Sequence, residues 1–230
     1  MQEMLNQSLF FGLVISILGY ELGRAVQKKW RLAILNPLLI SIIFVIVVLK
    51  ILHIDYNTYN ASAKYLNYLL TPSTVCLAIP LYKQIQLLKK NAAAVFGGIA
   101  AGVLTSLVSV FLLSLAFGFT KEQYVTLLPK SITTAIGMGI SEELGGIVTI
   151  TVAVIIITGI LGNMTAEAIC RVFKITEPVA KGVAIGTASH AVGTVKAMEM
   201  GETEGAMSSL SIAVAGLLTV AGASVFVNFM

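Results

Sequence analysis

The stretch "AILNPLLISIIFVIVVLKI" (33–51) holds one charge in nineteen residues, and "IVTITVAVIIITGILGNMTAEAI" (147–169) holds one in twenty-three. Seven or eight stretches of this kind follow one another along the chain. Each is close to the roughly 20 residues that a helix needs to cross a bilayer. Lipid offers a backbone no hydrogen-bond partner, so such stretches must close their hydrogen bonds internally, as helices. The expected fold class is an all-α polytopic membrane protein occupying the whole chain, 1–230, as one domain. Composition agrees: 57% of residues are hydrophobic and 11% charged, whereas a soluble domain carries about 25% charged residues.

Charge then gives orientation rather than fold. The formal net charge of +4 comes mostly from lysines and arginines in short links, and it forms no basic patch suited to nucleic acid. The link after the first span (8–26) holds Arg24, Lys28, Lys29 and Arg31, and the link after the third (62–82) holds Lys83, Lys89 and Lys90. Basic links stay cytoplasmic, which places the N-terminus outside. Residues 8–26 lack a basic leader region and a small-residue cleavage site, so they read as a retained helix and not a signal peptide. Cys76 and Cys170 have neither metal-site nor disulfide-scaffold spacing and read as small apolar fillers.

The fourth span covers 93–117. The fifth stretch, 124–141 ("YVTLLPKSITTAIGMGIS"), does not fit a simple crossing. If it crossed, Arg171, Lys174 and Lys181 would fall outside. If it enters and returns, they become cytoplasmic. Its proline, glycines and hydroxyls suit a re-entrant segment, which survives where protein or water satisfies the backbone. About seven crossings plus one re-entrant segment follow, with the C-terminus inside. Units 33–117 and 147–229 then become an inverted repeat. Its matched broken helices are "TPSTVCLAIPLYKQ" and "TASHAVGTVKAMEM", a layout that places substrate near the midplane.

Three polar interruptions carry the candidate chemistry. In "LLTPSTVCLAIP", Pro72 and Pro80 remove backbone donors, and Thr71, Ser73 and Thr74 supply hydroxyls; a proline kink is the plainer reading. In "LLPKSITTAIGMGISEELGG", Lys130 lies at membrane depth among Ser131, Thr133, Thr134 and Ser141. An intramembrane charge is by default a functional candidate, although a lysine can also snorkel to an interface. In "TASHAVGT", Ser189, His190, Gly193 and Thr194 combine small residues with an imidazole. His190 either bonds a neighbouring carbonyl or exchanges a proton near neutral pH. Lys196 and Glu199 can pair at i,i+3. His190, Glu142 and Glu199 are the proton-coupling candidates. No zinc, P-loop or dinucleotide motif is present, so neither a metal nor a cofactor is expected. No nucleophile–base pair at a plausible spacing argues for an enzyme.

These three motifs, "LLTPSTVCLAIPLYKQ", "LPKSITTAIGMGISEELGGI" and "GTASHAVGTVKAMEMGETEGAMSSLSIAVAGLLT", resemble those of the LrgB/CidB family of bacterial membrane proteins, over nearly the whole chain. Ala135 and Val192 depart mildly from the family pattern. The resemblance implies a bacterial cell membrane location and a small holin-like partner of the LrgA/CidA type. It also implies a link to autolysis and programmed cell death, while some relatives are tied to pyruvate, glycolate or glycerate movement. Two functions are therefore expected to compete. One is a transporter of small monocarboxylates, proton-coupled or not, with Thr71–Thr74, Lys130–Thr134 and Ser189–Thr194 lining its site. The other is an antiholin-like regulator of murein hydrolase activity. A homo-oligomer is compatible with either.

Overall fold

The computed structural model describes residues 10–30 and 35–230, and all regular structure among them is helical. Parts of the expected first and second spans, residues 8–9 and 33–34, lie outside the described residues. The chain forms two compact units, Met1–Cys76 and Leu77–Met230.

In the first unit α1 is Phe11–Trp30, α2 is Pro37–Ile51 and α3 is Tyr56–Ala63; a 3-10 turn, Lys64–Leu69, leads into α4, Leu70–Cys76. Asn36 caps α2, its Oδ1 accepting from the Leu38 and Leu39 amides, and Pro37 fills the first helical position where no amide is needed. The glycines of α1 set its packing. Gly19 stands against Ser41, and Gly23 against the Pro37 backbone. The Gly12 amide donates to Ser62 Oγ at 2.7 Å. Small residues let helix backbones approach closely, the usual basis of helix pairing inside lipid.

In the second unit α5 is Ala78–Lys83, α6 is Ile85–Ala116, α7 is Lys121–Leu127 and α8 is Thr134–Glu143. They are followed by α9, Val148–Val172, α10, Pro178–Met200, and α11, Glu202–Phe226, with a 3-10 turn at Val227–Phe229. Among the described residues, three helices are long and apolar enough to cross a membrane: α6, α9, and α11 with its 3-10 extension. Val95, Ile99, Val103, Leu107 and Val110 form one buried stripe of α6, at the three- and four-residue spacing of a helix face. They share a core with Tyr124, Leu128, Ile132, Met207, Ala215 and Ala223. Large apolar side chains such as Leu104, Leu161 and Leu217 remain exposed, as expected where lipid is the solvent.

The fifth stretch enters and returns. A capping box at Thr120 and Gln123 starts α7, but its seven residues span only about 10 Å. The chain turns through 128–133 and comes back as α8. The two arms meet at the base of this hairpin. The Ile147 amide donates to Thr126 Oγ1 at 2.8 Å, the Thr151 hydroxyl donates to the Thr126 carbonyl at 2.8 Å, and Thr151 Oγ1 stands 2.7 Å from Ser141 Oγ.

The expected seventh span is broken, and it also folds back. His190 interrupts α10 with φ 43° and ψ −140°, a region that a side-chain-bearing residue rarely occupies. A straight helix would separate Gly182 from Met198 by about 24 Å. Instead Gly182 packs on Glu204 and Met207, and Met198 packs on Gly205, so both ends of α10 meet the first turns of α11. A Cβ at Gly193 would lie 3.3 Å from the Ile185 carbonyl oxygen, across the bend. α10 is thus a second re-entrant hairpin, with arms 178–189 and 191–200, where the sequence suggested one re-entrant segment in all.

The two hairpins open from opposite faces, because the first lies between the end of α6 and the start of α9 and the second follows the end of α9. α11 then runs back to the first hairpin's face: the Tyr124 hydroxyl donates to the Phe226 carbonyl at 3.0 Å, and Phe111 packs edge-on against Phe229. The end of α11 therefore lies opposite the face holding Lys89, Lys90, Arg171 and Lys174. The expected seven crossings already counted the fifth stretch as a fold-back and put the chain's end on the basic side. The fold-back of α10 corrects this: it removes one more crossing and puts that end on the opposite face.

Candidate functional site

A cavity of about 830 Å³ runs between α6, the tip of the first hairpin and the first arm of α10. Leu87, Asn91 and Glu177 line its outer end, on the basic face. Ser106, Lys130, Ser131 and Thr187 line its inner end. Thr187 lies ten residues along the arm from Glu177, about 15 Å. Between the ends the wall is apolar, formed by Val95, Val183 and Ala184 among others. The α6 side stays narrow in cross-section because Gly98 and Gly102 face Val183 and Thr187, leaving room for the opposite helix.

The inner end is polar and connected. Lys130 Nζ donates to Ser131 Oγ at 3.0 Å, and Ser131 Oγ stands 3.1 Å from Ser106 Oγ. Lys130 is half-buried, and no ion pair involves it among the described residues. Of the two buried hydroxyls without a partner among the described residues, Ser114 and Thr187, Thr187 lies on the cavity wall. A helical threonine ordinarily bonds back to the preceding turn.

Of the expected binding residues, Lys130 and Ser131 line this cavity. Thr133 is the N-cap residue of α8 and Thr134 its first position, both partly buried. Ser189, His190, Gly193 and Thr194 are buried between helices instead. His190 Nε2 lies 3.0 Å from the Ile155 carbonyl, Ser189 packs on Gly162, and Thr194 Oγ1 stands 2.7 Å from Ser208 Oγ. Gly159 leaves the space that the His190 ring fills, since a Cβ there would lie 2.8 Å from Cε1. Glu142 and Glu199 are exposed. Lys196 does pair with Glu199, at 3.2 Å, and also with Glu167 of α9, at 2.7 Å. Thr71, Pro72, Ser73 and Thr74 fall in α4 of the first unit; Pro72 and Ser73 are exposed there, and the side chains of Thr71 and Thr74 lie outside the described residues.

Sequence reasoning missed Ser106 and Thr187. The signal for Ser106 was available: Gly102, Thr105, Ser106 and Ser109 repeat at helical spacing and give α6 a polar stripe. Thr187 sat inside a quoted motif but was overshadowed by the histidine.

Fold and cavity together define an all-helical polytopic membrane protein in which two opposed re-entrant hairpins approach a shared cavity from opposite faces. The LrgB-like family model matches residues 16–229, and the chain belongs to that family. It is 39% identical to the holin-like protein CidB of Staphylococcus aureus (strain N315), over 90% of both chains. It is 35% identical to the antiholin-like protein LrgB of Bacillus cereus (strain B4264), over 96% of both. No solved structure matches.

Proposed function

We propose that this chain acts in the bacterial cell membrane as a holin/antiholin-type component. It restrains murein hydrolase activity and autolysis together with a small holin-like membrane protein of the LrgA/CidA type. Similarity over nearly the full chain to relatives carrying both names is the observation behind this reading. The test is complementation of a strain lacking its own LrgB-like protein, with murein hydrolase zymography and detergent-induced lysis as readouts. Copurification with a holin-like partner is measured alongside. Restored lysis control supports the reading; unchanged lysis together with no partner recovered overturns it.

The cavity favours a second, compatible reading, in which the chain carries small monocarboxylates. A pocket of about 830 Å³ that ends at a lysine with no ion pair among the described residues, inside a membrane protein, costs stability unless it has an occupant. Two hairpins opening from opposite faces supply a natural gate on each side, and broken helices beside a midplane site recur in carriers. Movement of a metabolic acid would change cytoplasmic acidity and so bear on lysis. Uptake of labelled pyruvate, lactate and glycolate into vesicles under a pH gradient, with and without the holin-like partner, tests it. Absence of flux for all three removes the carrier reading and leaves the first intact.

A further inference from the structure

We propose that the inner end of the α6–α10 cavity is a seat for one small carboxylate, held by Lys130, Ser106 and Thr187. This assignment rests on the carrier reading and gives it a location distinct from the His190 break.

The donors follow from a count of protons. Lys130 gives one N–H to Ser131 Oγ, which leaves two. Ser131 Oγ accepts from the lysine and shares its contact with Ser106 Oγ. With the Ser131 proton pointing to Ser106, the Ser106 proton is left to point into the cavity. Thr187 adds a second hydroxyl on the cavity wall, itself buried and without a partner among the described residues. Two ammonium hydrogens and two hydroxyl hydrogens, on residues lining the same cavity, match the lone pairs of a carboxylate. Ser131 keeps the lysine in place and is a positioning residue.

Charge sets the ligand's size class. Lys130 is the one cation among the cavity's lining residues, and Glu177 stands at the far end. A second carboxylate on the ligand would sit beside Val95, Val183 and Ala184 without a counter-charge, which is costly, or nearer to Glu177, which repels it. The seat therefore selects monoanions over dianions.

The experiment measures binding of labelled pyruvate to the purified full chain in nanodiscs, with succinate as the dianion probe. Flux is measured in vesicles in parallel. Lys130→Gln should weaken pyruvate binding on the order of 100-fold, and Thr187→Val about 10-fold, with Thr187→Ser restoring most of it. Glu177→Gln should raise succinate binding relative to pyruvate binding, narrowing the preference for the monoanion. Monodispersity and thermal unfolding of each variant identify misfolded protein, and the near-isosteric Thr187→Val carries the result if Lys130→Gln fails that check. Wild-type flux with pyruvate binding unaffected by Thr187→Val overturns the seat while the carrier reading survives. Absence of both binding and flux in the wild type overturns both.

Discussion

Gly193 stands against Ile185, eight residues earlier in the same helix, so closely that a Cβ would lie 3.1 Å from Ile185 Cγ2 and 2.5 Å from Ser189 Cβ. In an unbroken helix those positions would lie about 12 Å apart. The contact exists because α10 reverses at His190, and it needs a residue without a side chain. Gly193→Leu should therefore destabilise the fold by about 1–3 kcal/mol through overpacking, lowering the unfolding temperature in detergent. Cysteines placed at Lys181 and Glu199, in a background without Cys76 and Cys170, should both react with an impermeant thiol reagent from the same side of the membrane. Labelling from opposite sides would show that α10 crosses.

The first hairpin makes the same kind of prediction by a different chemistry. Thr151, fully buried, ties both arms together through the Thr126 carbonyl and Ser141. Thr151→Val keeps the volume but leaves a buried carbonyl and a hydroxyl without that partner, a loss of about 1–3 kcal/mol. Thermal unfolding checks the size, and Thr151→Ser should recover most of it. Cysteines at Glu122 and Glu143 should be labelled from one face.

His190 holds φ 43° inside a membrane helix, where a side chain costs about 1–3 kcal/mol of strain. Glycine has no such cost, so His190→Gly should keep the bend while losing the 3.0 Å contact with the Ile155 carbonyl and the ring's packing on Gly159. A β-branched residue is worst there: His190→Val should unfold well below His190→Gly in a thermal melt. If flux exists and His190 exchanges the coupled proton, His190→Gly should abolish its pH-gradient dependence. If the histidine only pins the bend, that dependence should persist.

The legible part of this fold was whatever lipid dictates residue by residue. Long apolar runs with few charges marked α1, α2, α6, α9 and α11, and the basic links pointed to a re-entrant fifth stretch. The second hairpin was not legible, because its reversal depends on which surfaces accept Gly182, Gly186 and Gly193. Small residues in sequence suit a straight, closely packed helix equally well. The candidate site divided for the same reason. Lys130 was found because an intramembrane charge is unusual, whereas Thr187 looked like any helix hydroxyl until its back-bond proved absent. His190 drew attention as one of the chain's two histidines, set among small residues, yet its ring spends its hydrogen bond on Ile155, holding the bend.

The second fold-back, at His190, changes where the chain finishes relative to seven crossings. Lys83, Lys89, Lys90, Arg171 and Lys174 gather at one face of the second unit, and Tyr124 bonds Phe226 at the other. With the basic links in the cytoplasm, as the positive-inside bias predicts, the end of α11 is expected to face outward. Alkaline phosphatase fused after Met230 should be active in intact cells, and a green fluorescent protein at the same point should stay dark. The reverse pair of signals would require α10 to cross the bilayer, contradicting the contacts of Gly182 and Met198 with neighbouring residues of α11. A reporter inserted between Phe173 and Glu177 should give the opposite answer, bright with the fluorescent protein, because that link belongs to the basic face. Agreement of both fusions would fix α11 as an outward crossing and place the mouth of the α6–α10 cavity in the cytoplasm.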